Sequence, residues 1–120
     1  MPDKQDNPMS NSDPNSRWFH VVAYLVGGLF LANFIPHFMT GIAGSPFQSP
    51  FASPPGIGLS SSTSNVFWGI LNLGVAYALL GRVGRFDHRK WPHLLAAATG
   101  FVVASLLLAR YFGRFHGGLS

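Results

Sequence analysis

The chain of 120 residues has no cysteine and only four acidic residues, Asp3, Asp6, Asp13 and Asp87. Without cysteine there are no disulfides, no thiolate metal sites and no thiol nucleophile. Without a carboxylate in any apolar stretch, a carboxylate-driven proton pump and a carboxylate-oriented catalytic histidine are both ruled out. Charged residues make up only 10% of the chain, against about 25% in soluble domains. There is no Gly-x-Ser-x-Gly elbow, no His-Glu-x-x-His and no phosphate-binding glycine loop, so the expectation is a protein that is not an enzyme.

What the chain does have is apolar length. Three runs, Trp18 to Phe38, Val66 to Leu80 and Leu94 to Ala109, contain no acidic residue. A helix crossing the hydrocarbon needs roughly 20 mostly apolar residues at about 1.5 Å each. With their flanks the runs meet that length, giving expected spans at 18–38, 64–82 and 92–111. The fold class expected is an all-α membrane protein of three transmembrane helices, with a Pro-rich loop at 41–63 between the first and second. Residues 17–113 form the membrane domain, 1–16 read as a disordered tail, and 114–120 as a short C-terminal tail. A cleaved signal peptide ending near Ala43 is the alternative for the first span, but its apolar run exceeds the usual h-region of about 7–15 residues.

Boundary signals are specific. Ser16 is a candidate cap for the first helix, and Pro36 is expected to kink or end it near His37. The run Ser60 to Asn65 offers several caps for the second helix, which Gly81 and Gly84 close. Trp91-Pro92 opens the third, with proline in the first turn. The formal charge of +4 sits at the ends of the apolar runs rather than in a separate patch, which argues against nucleic acid. Lys4, Arg17, Arg82, Arg85, Arg89 and Lys90 fall on one side and the Pro-rich loop carries no charge. The positive-inside rule then places the N-terminus in the cytoplasm and the loop and C-terminus outside.

Small residues repeat at helix-packing intervals: Ala23 and Gly27, Gly28 and Ala32, then Ala96, Gly100 and Ala104. The second helix places Asn65, Gly69, Asn72 and Ala76 on one stripe. In lipid such faces bring helices together by close contact and hydrogen bonds. They serve a three-helix bundle, and part of that surface is also available to a homo-oligomer or a larger membrane protein.

The loop holds SPFQSPFASPP, in which three Ser-Pro steps prevent a regular helix. Being uncharged, it is expected to lie on the membrane surface or fold back over the bundle with Phe47 and Phe51 buried. Pro46, Phe47, Pro50 and Phe51 are the candidate partner contacts. Asn33, His37, Thr40 and Asn65 form a candidate ligand pocket. His37 and His116 lie at similar depth on different helices, as a bis-histidine haem requires, and His20 and His93 form a comparable pair at the other face. No group of residues has the spacing of a metal site.

The stretch Pro36-His37-Phe38, Gly41, Gly44, Pro46-Phe47, Ser49-Pro50-Phe51, Asn65-Val66-Phe67-Trp68-Gly69 and Asn72-Leu73 resembles a group of small bacterial multi-pass membrane proteins without assigned function. The resemblance covers the first two helices and their loop, about half the chain. It implies a bacterial inner membrane and a signature unit made of the loop and its flanking helix ends. It implies no activity; the residues themselves point to an accessory or structural partner of a membrane complex, with a haem or small-ligand binder and a small oligomeric transporter as alternatives.

Overall fold

The computed structural model describes residues 14–118, with side chains described from Trp18 onward. The tail residues 1–13 and the last two residues lie outside it. Three helices are long and apolar enough to cross a membrane: Trp18–Ile42, Ser62–Val83 and Trp91–His116. The protein is an all-α, three-helix membrane protein, about 63 Å along its long axis.

The first helix, α1, runs Pro14–Ile42. It therefore begins two residues before Ser16, which lies within the helix instead of capping it. Proline in the first turn suits a helix start, because its missing N–H would have no partner there. At the other end α1 passes through Pro36 to Ile42, where the sequence suggested a kink or an end. Pro36 removes the bond that the Ala32 carbonyl would receive. Close packing holds the helix together, since Ala32 is 3% exposed and His37 is 2% exposed.

Beyond α1 the chain forms two short antiparallel strands, β1 (Phe47–Gln48) and β2 (Leu59–Ser60), pairing Phe47 with Ser60 and Gln48 with Leu59. The second helix, α2, is Ser62–Tyr77, capped by the Ser61 side chain, which accepts from the Ser64 N–H. A π-helical turn, Ala78–Val83, continues it to Gly84. The third helix, α3, is Trp91–His116. It outruns the expected boundary at Tyr111 because Gly113 is tolerated within the helix. Gly117, with φ at 76°, is the residue that turns the chain away in the left-handed conformation.

α1 is the central element. It packs along both α2 and α3, which make little contact with each other. Both interfaces depend on missing side chains. A Cβ on Gly28 would overlap the Ala97 carbonyl oxygen, and one on Gly100 would overlap that of Leu25. At Gly69 it would come within 2.9 Å of the Phe38 nitrogen. The buried face of α2 is the stripe Asn65, Gly69, Asn72 and Ala76. Polar groups on that face bond across the helices: Asn33 Nδ2 donates to Asn72 Oδ1 at 2.9 Å.

The turn joining α2 to α3 is clasped by Tyr24, 1% exposed. His93 Nδ1 accepts from the Asp87 backbone N–H at 2.9 Å, so the neutral ring carries its proton on Nε2. That nitrogen donates to the Tyr24 hydroxyl at 3.1 Å, which in turn donates to the Gly84 carbonyl. In the turn, the Arg89 backbone N–H bonds Asp87, and with the Arg89 and Lys90 charges this holds the carboxyl below its ordinary value. Tyr24→Phe leaves the Gly84 carbonyl and the His93 N–H without their partner. We expect it to destabilise the bundle by about 1–2 kcal/mol, read by denaturant titration in mixed micelles; an unchanged midpoint would show that the clasp contributes nothing.

Candidate functional site

The Pro-rich segment folds back over one end of the bundle, and Asn65 holds it there. Asn65 is 0% exposed and sits in the first turn of α2. Its Nδ2 donates to the carbonyls of Phe47 at 3.1 Å, Ser60 at 3.2 Å and Ser61 at 3.1 Å. Three carbonyl oxygens around one amide end fix that end as the NH2 group, since an oxygen there would be repelled by all three. Asn65 Oδ1 is then the acceptor for His37 Nδ1, 2.7 Å away. This sets the tautomer of His37, with the proton on Nδ1 and a lone pair on Nε2. Asn65 thus ties α1 to both strands of the loop.

Aromatic rings fill the space around this pair. His37 stands edge-on to Phe47 at 5.3 Å, Trp68 at 6.2 Å and Phe112 at 5.8 Å between ring centroids. Further bonds fasten the loop to α3: Tyr111 donates to the Gly56 carbonyl at 2.6 Å, and His116 Nε2 lies 2.7 Å from Gln48 Oε1. Ser49 and Ser60 bond side chain to side chain across the strand pair at 2.5 Å.

Below the loop lies a cavity of about 330 Å³ whose lining includes Asn33, His37, Ser49, Trp68, Tyr111 and Phe112. That volume falls within the range of small-molecule sites, about 300–1,000 Å³. α1 forms its back and the loop its roof, with α2 and α3 on either side. α2 and α3 make little contact with each other on the side away from α1. The lining has no Asp, Glu, Lys or Arg. The Arg114 guanidinium lies over the Tyr111 ring, 4.7 Å from its centroid, on an exposed side chain.

Several hydrogen-bonding groups in this lining are unused. The Trp68 indole Nε1–H is buried and has no partner, alone among the buried side-chain polar atoms of the described residues. His37 bonds only through Nδ1, which leaves Nε2 as an acceptor. Asn33 gives its NH2 to Asn72, which leaves Oδ1 as a second acceptor. A buried donor without a partner costs about 1–3 kcal/mol, and the Trp68 N–H has none among the protein groups around it.

The residues singled out from the sequence are distributed unevenly. Asn33 and His37 line the cavity. Asn65 stands behind His37 as the loop's anchor, and Thr40 gives only its backbone carbonyl to the Ser45 N–H at 3.1 Å. His37 and His116 do come to one cluster, but Phe47 contacts both rings, with His116 stacked on it at 5.1 Å. A bis-histidine site needs two imidazoles facing each other across an open gap, and here an aromatic ring occupies that space. Of the four loop residues, Pro46 and Pro50 are exposed. Phe47 is 7% exposed and belongs to the core, whereas Phe51 is 67% exposed with its edge on Trp68 at 5.0 Å. The expectation that both phenylalanines are buried therefore holds for Phe47 and fails for Phe51, which sits where the loop turns outward.

Trp68, Tyr111 and Phe112 were not singled out as site residues. At the ends of apolar runs they look like interfacial belt residues. Trp68 carried one available signal: it lies three residues after Asn65 and four before Asn72, on the same side of α2.

Fold and site together define a polytopic membrane protein with an uncharged, partly unsatisfied cavity beneath a folded loop. No family model, curated protein or solved structure matches the chain.

Proposed function

We propose that this is a non-enzymatic binding protein of the bacterial inner membrane, which takes a small uncharged ligand from the bilayer into the cavity under its Pro-rich loop. The observation that carries this is a cavity of about 330 Å³ without ionised side chains, lined by His37 and Asn33, each with a free acceptor, and by Trp68, whose indole N–H has no protein partner. The absence of ionised side chains from the lining disfavours charged ligands, because an ion there would lose its hydration without a counter-charge. The N-terminus is cytoplasmic and the loop outside, following the distribution of Lys and Arg.

A second reading is an accessory subunit that docks on a larger membrane protein. It is favoured by the exposure of Phe51, Ile57 and Leu59 (67%, 50% and 57%) in a loop outside the membrane helices. One experiment separates the two. The protein is purified in mild detergent from its own membranes, and everything that accompanies it is identified by mass spectrometry. A small molecule near one equivalent, lost from Leu108→Trp, whose larger ring fills the cavity, and from Trp68→Phe, supports the binding role. If that molecule stays with both variants, the cavity does not hold it. A stoichiometric membrane protein with no small molecule would favour the docking role.

A further inference from the structure

We propose that the Pro-rich segment is an interfacial anchor: Phe51, Ile57 and Leu59 insert into lipid at the boundary between headgroups and acyl chains, in the leaflet on the loop's side. The anchor does not depend on what the cavity holds.

The backbone of the segment largely satisfies itself. Pro46, Pro50, Pro54 and Pro55 have no N–H to place. The N–H groups of Ala52 and Gly56 both donate to the Ser49 carbonyl, at 3.3 and 2.8 Å, and those of Ile57 and Gly58 to the Pro54 carbonyl, at 3.0 and 2.8 Å. The Phe51 N–H donates to the Ser49 hydroxyl at 3.1 Å, and the two short strands pair with each other. A loop in water has no need of such bonds, because water meets whatever the chain leaves open. Against lipid an unmet N–H is costly, so irregular backbone there must bring its own partners. The exposed Ser45 and Ser53 keep the segment at the boundary rather than in the hydrocarbon.

The segment also lies alongside the helices. Phe51 meets the Trp68 ring nearly at right angles, 5.0 Å between centroids, and shares a shallow groove with Ser64, Phe67 and Leu71 of α2. Phe67 and Leu71 are 68% and 54% exposed within a helix that crosses the membrane. On α3, Tyr111 lies about 7 Å short of the end at His116, at about 1.5 Å per residue. Its Cβ points back toward the helix start, and its hydroxyl donates to the Gly56 carbonyl at 2.6 Å. The loop is thus tied to both helices inside their length.

Charge and chemistry select lipid as the partner. No Asp, Glu, Lys or Arg occurs from Trp18 to Gly81, so neither the segment nor the helix ends beside it bring a charge to that surface. Exposed Phe51, Ile57 and Leu59 continue the apolar surface that Ile42 and Phe67 present on the helices. Interfacial apolar faces rest about 5–10 Å deep, at the headgroup–acyl boundary. A protein partner would ask for about one hydrogen bond per 100–200 Å², and the backbone donors of 51–58 named above are already used within the loop.

The chain has no cysteine, so single nitroxide labels go on without background. Phe51→Cys, Ile57→Cys and Leu59→Cys are labelled in the full chain and reconstituted in vesicles of phosphatidylcholine and phosphatidylglycerol. Leu106→Cys, at a lipid-facing site in mid-α3 (67% exposed), and Arg89→Cys, in the α2–α3 turn with its side chain 81% exposed, are the lipid and water references. Power saturation is measured with oxygen, which concentrates in lipid, and with a nickel chelate present on both sides of the membrane. We expect the three loop labels to lose nickel access and gain oxygen access, as position 106 does, at a shallower depth. Nickel access equal to that at position 89 would place the loop in water and overturn the anchor. Loss of access to both probes would mean that a second copy of the chain covers the loop, which also overturns it. The unsubstituted ¹⁵N-labelled chain guards against an effect of the labels: its amides at 51–59 should broaden with a doxyl lipid and not with a soluble gadolinium chelate, and the reverse would overturn the anchor.

Discussion

Gly100→Leu will drive α3 away from α1 and destabilise the bundle by about 3 kcal/mol or more. Even a Cβ at position 100 would overlap the Leu25 carbonyl oxygen, and the next atoms it would meet are also Leu25 backbone. A flexible side chain can swing aside, but a helix backbone cannot move without dragging its neighbours. Overpacking costs about 1–3 kcal/mol in an ordinary core, and an obstruction made of backbone belongs at or above the top of that range. Gly28 faces Ala97 in the same way from the other helix, so the contact is small against small on both sides. No hydrophobic force pulls helices together within lipid, and losing the close approach removes most of the attraction. Gly74→Ala is the matched control, because a Cβ there meets nothing within 4 Å. Unfolding by denaturing detergent in mixed micelles should place Gly100→Leu far below the parent and Gly74→Ala at or above it. Coincident curves for the two variants would refute the packing argument.

The second large effect concerns Asn65. Asn65→Ala removes the donor shared by the Phe47, Ser60 and Ser61 carbonyls and the acceptor of the His37 N–H. The His37 N–H and the Phe47 and Ser60 carbonyls lose this partner, while the Ser61 carbonyl keeps the backbone N–H of residue 65; each buried group left unpaired costs about 1–3 kcal/mol. We expect a total of about 3 kcal/mol or more, concentrated in the loop. Asn65→Asp will not rescue it, because a carboxylate has no N–H for three carbonyl oxygens. The distinguishing measurement is hydrogen exchange at the backbone amides of 47–60, which should lose protection in both variants while the amides of α3 keep theirs. Retained loop protection in Asn65→Ala would mean that the strand pair and the Tyr111 bond suffice to hold the segment.

Both predictions rest on features of different legibility. The α1–α3 contact was readable, because Gly28 and Gly100 belong to small-residue repeats whose spacing places them on one helix face. The stripe Asn65, Gly69, Asn72 and Ala76 was readable for the same reason, and it is the buried face of α2. Helix ends were less so. Pro36 has the local chemistry of a terminator, yet tertiary packing on both sides carries α1 six residues further. Gly113 and Gly117 are indistinguishable as letters, and only Gly117 adopts the left-handed conformation that ends α3.

The candidate site was half legible. Asn33 and His37 stood out as polar residues in apolar runs, and both line the cavity. That Asn65 would face the loop rather than the cavity depends on where Phe47 and Ser60 place their carbonyls. That placement follows from a strand pairing of only two residues on each side. Phe47 and Phe51 occur in nearly identical Ser-Pro-Phe contexts, and nothing local assigns one to the core and the other to the surface.

The wall of the cavity, and the amide–imidazole pair of Asn65 and His37 at its back, carry no Asp, Glu, Lys or Arg. A transmembrane potential acts on charge, at about 2.3 kcal/mol per elementary charge per 100 mV, and here it has none to act upon. Dissolved salt screens charges and leaves bonds between uncharged partners nearly untouched. Uptake of a neutral guest into this chamber, as proposed above, would therefore be insensitive to membrane voltage and to ionic strength, and would follow only how much of that guest the bilayer holds.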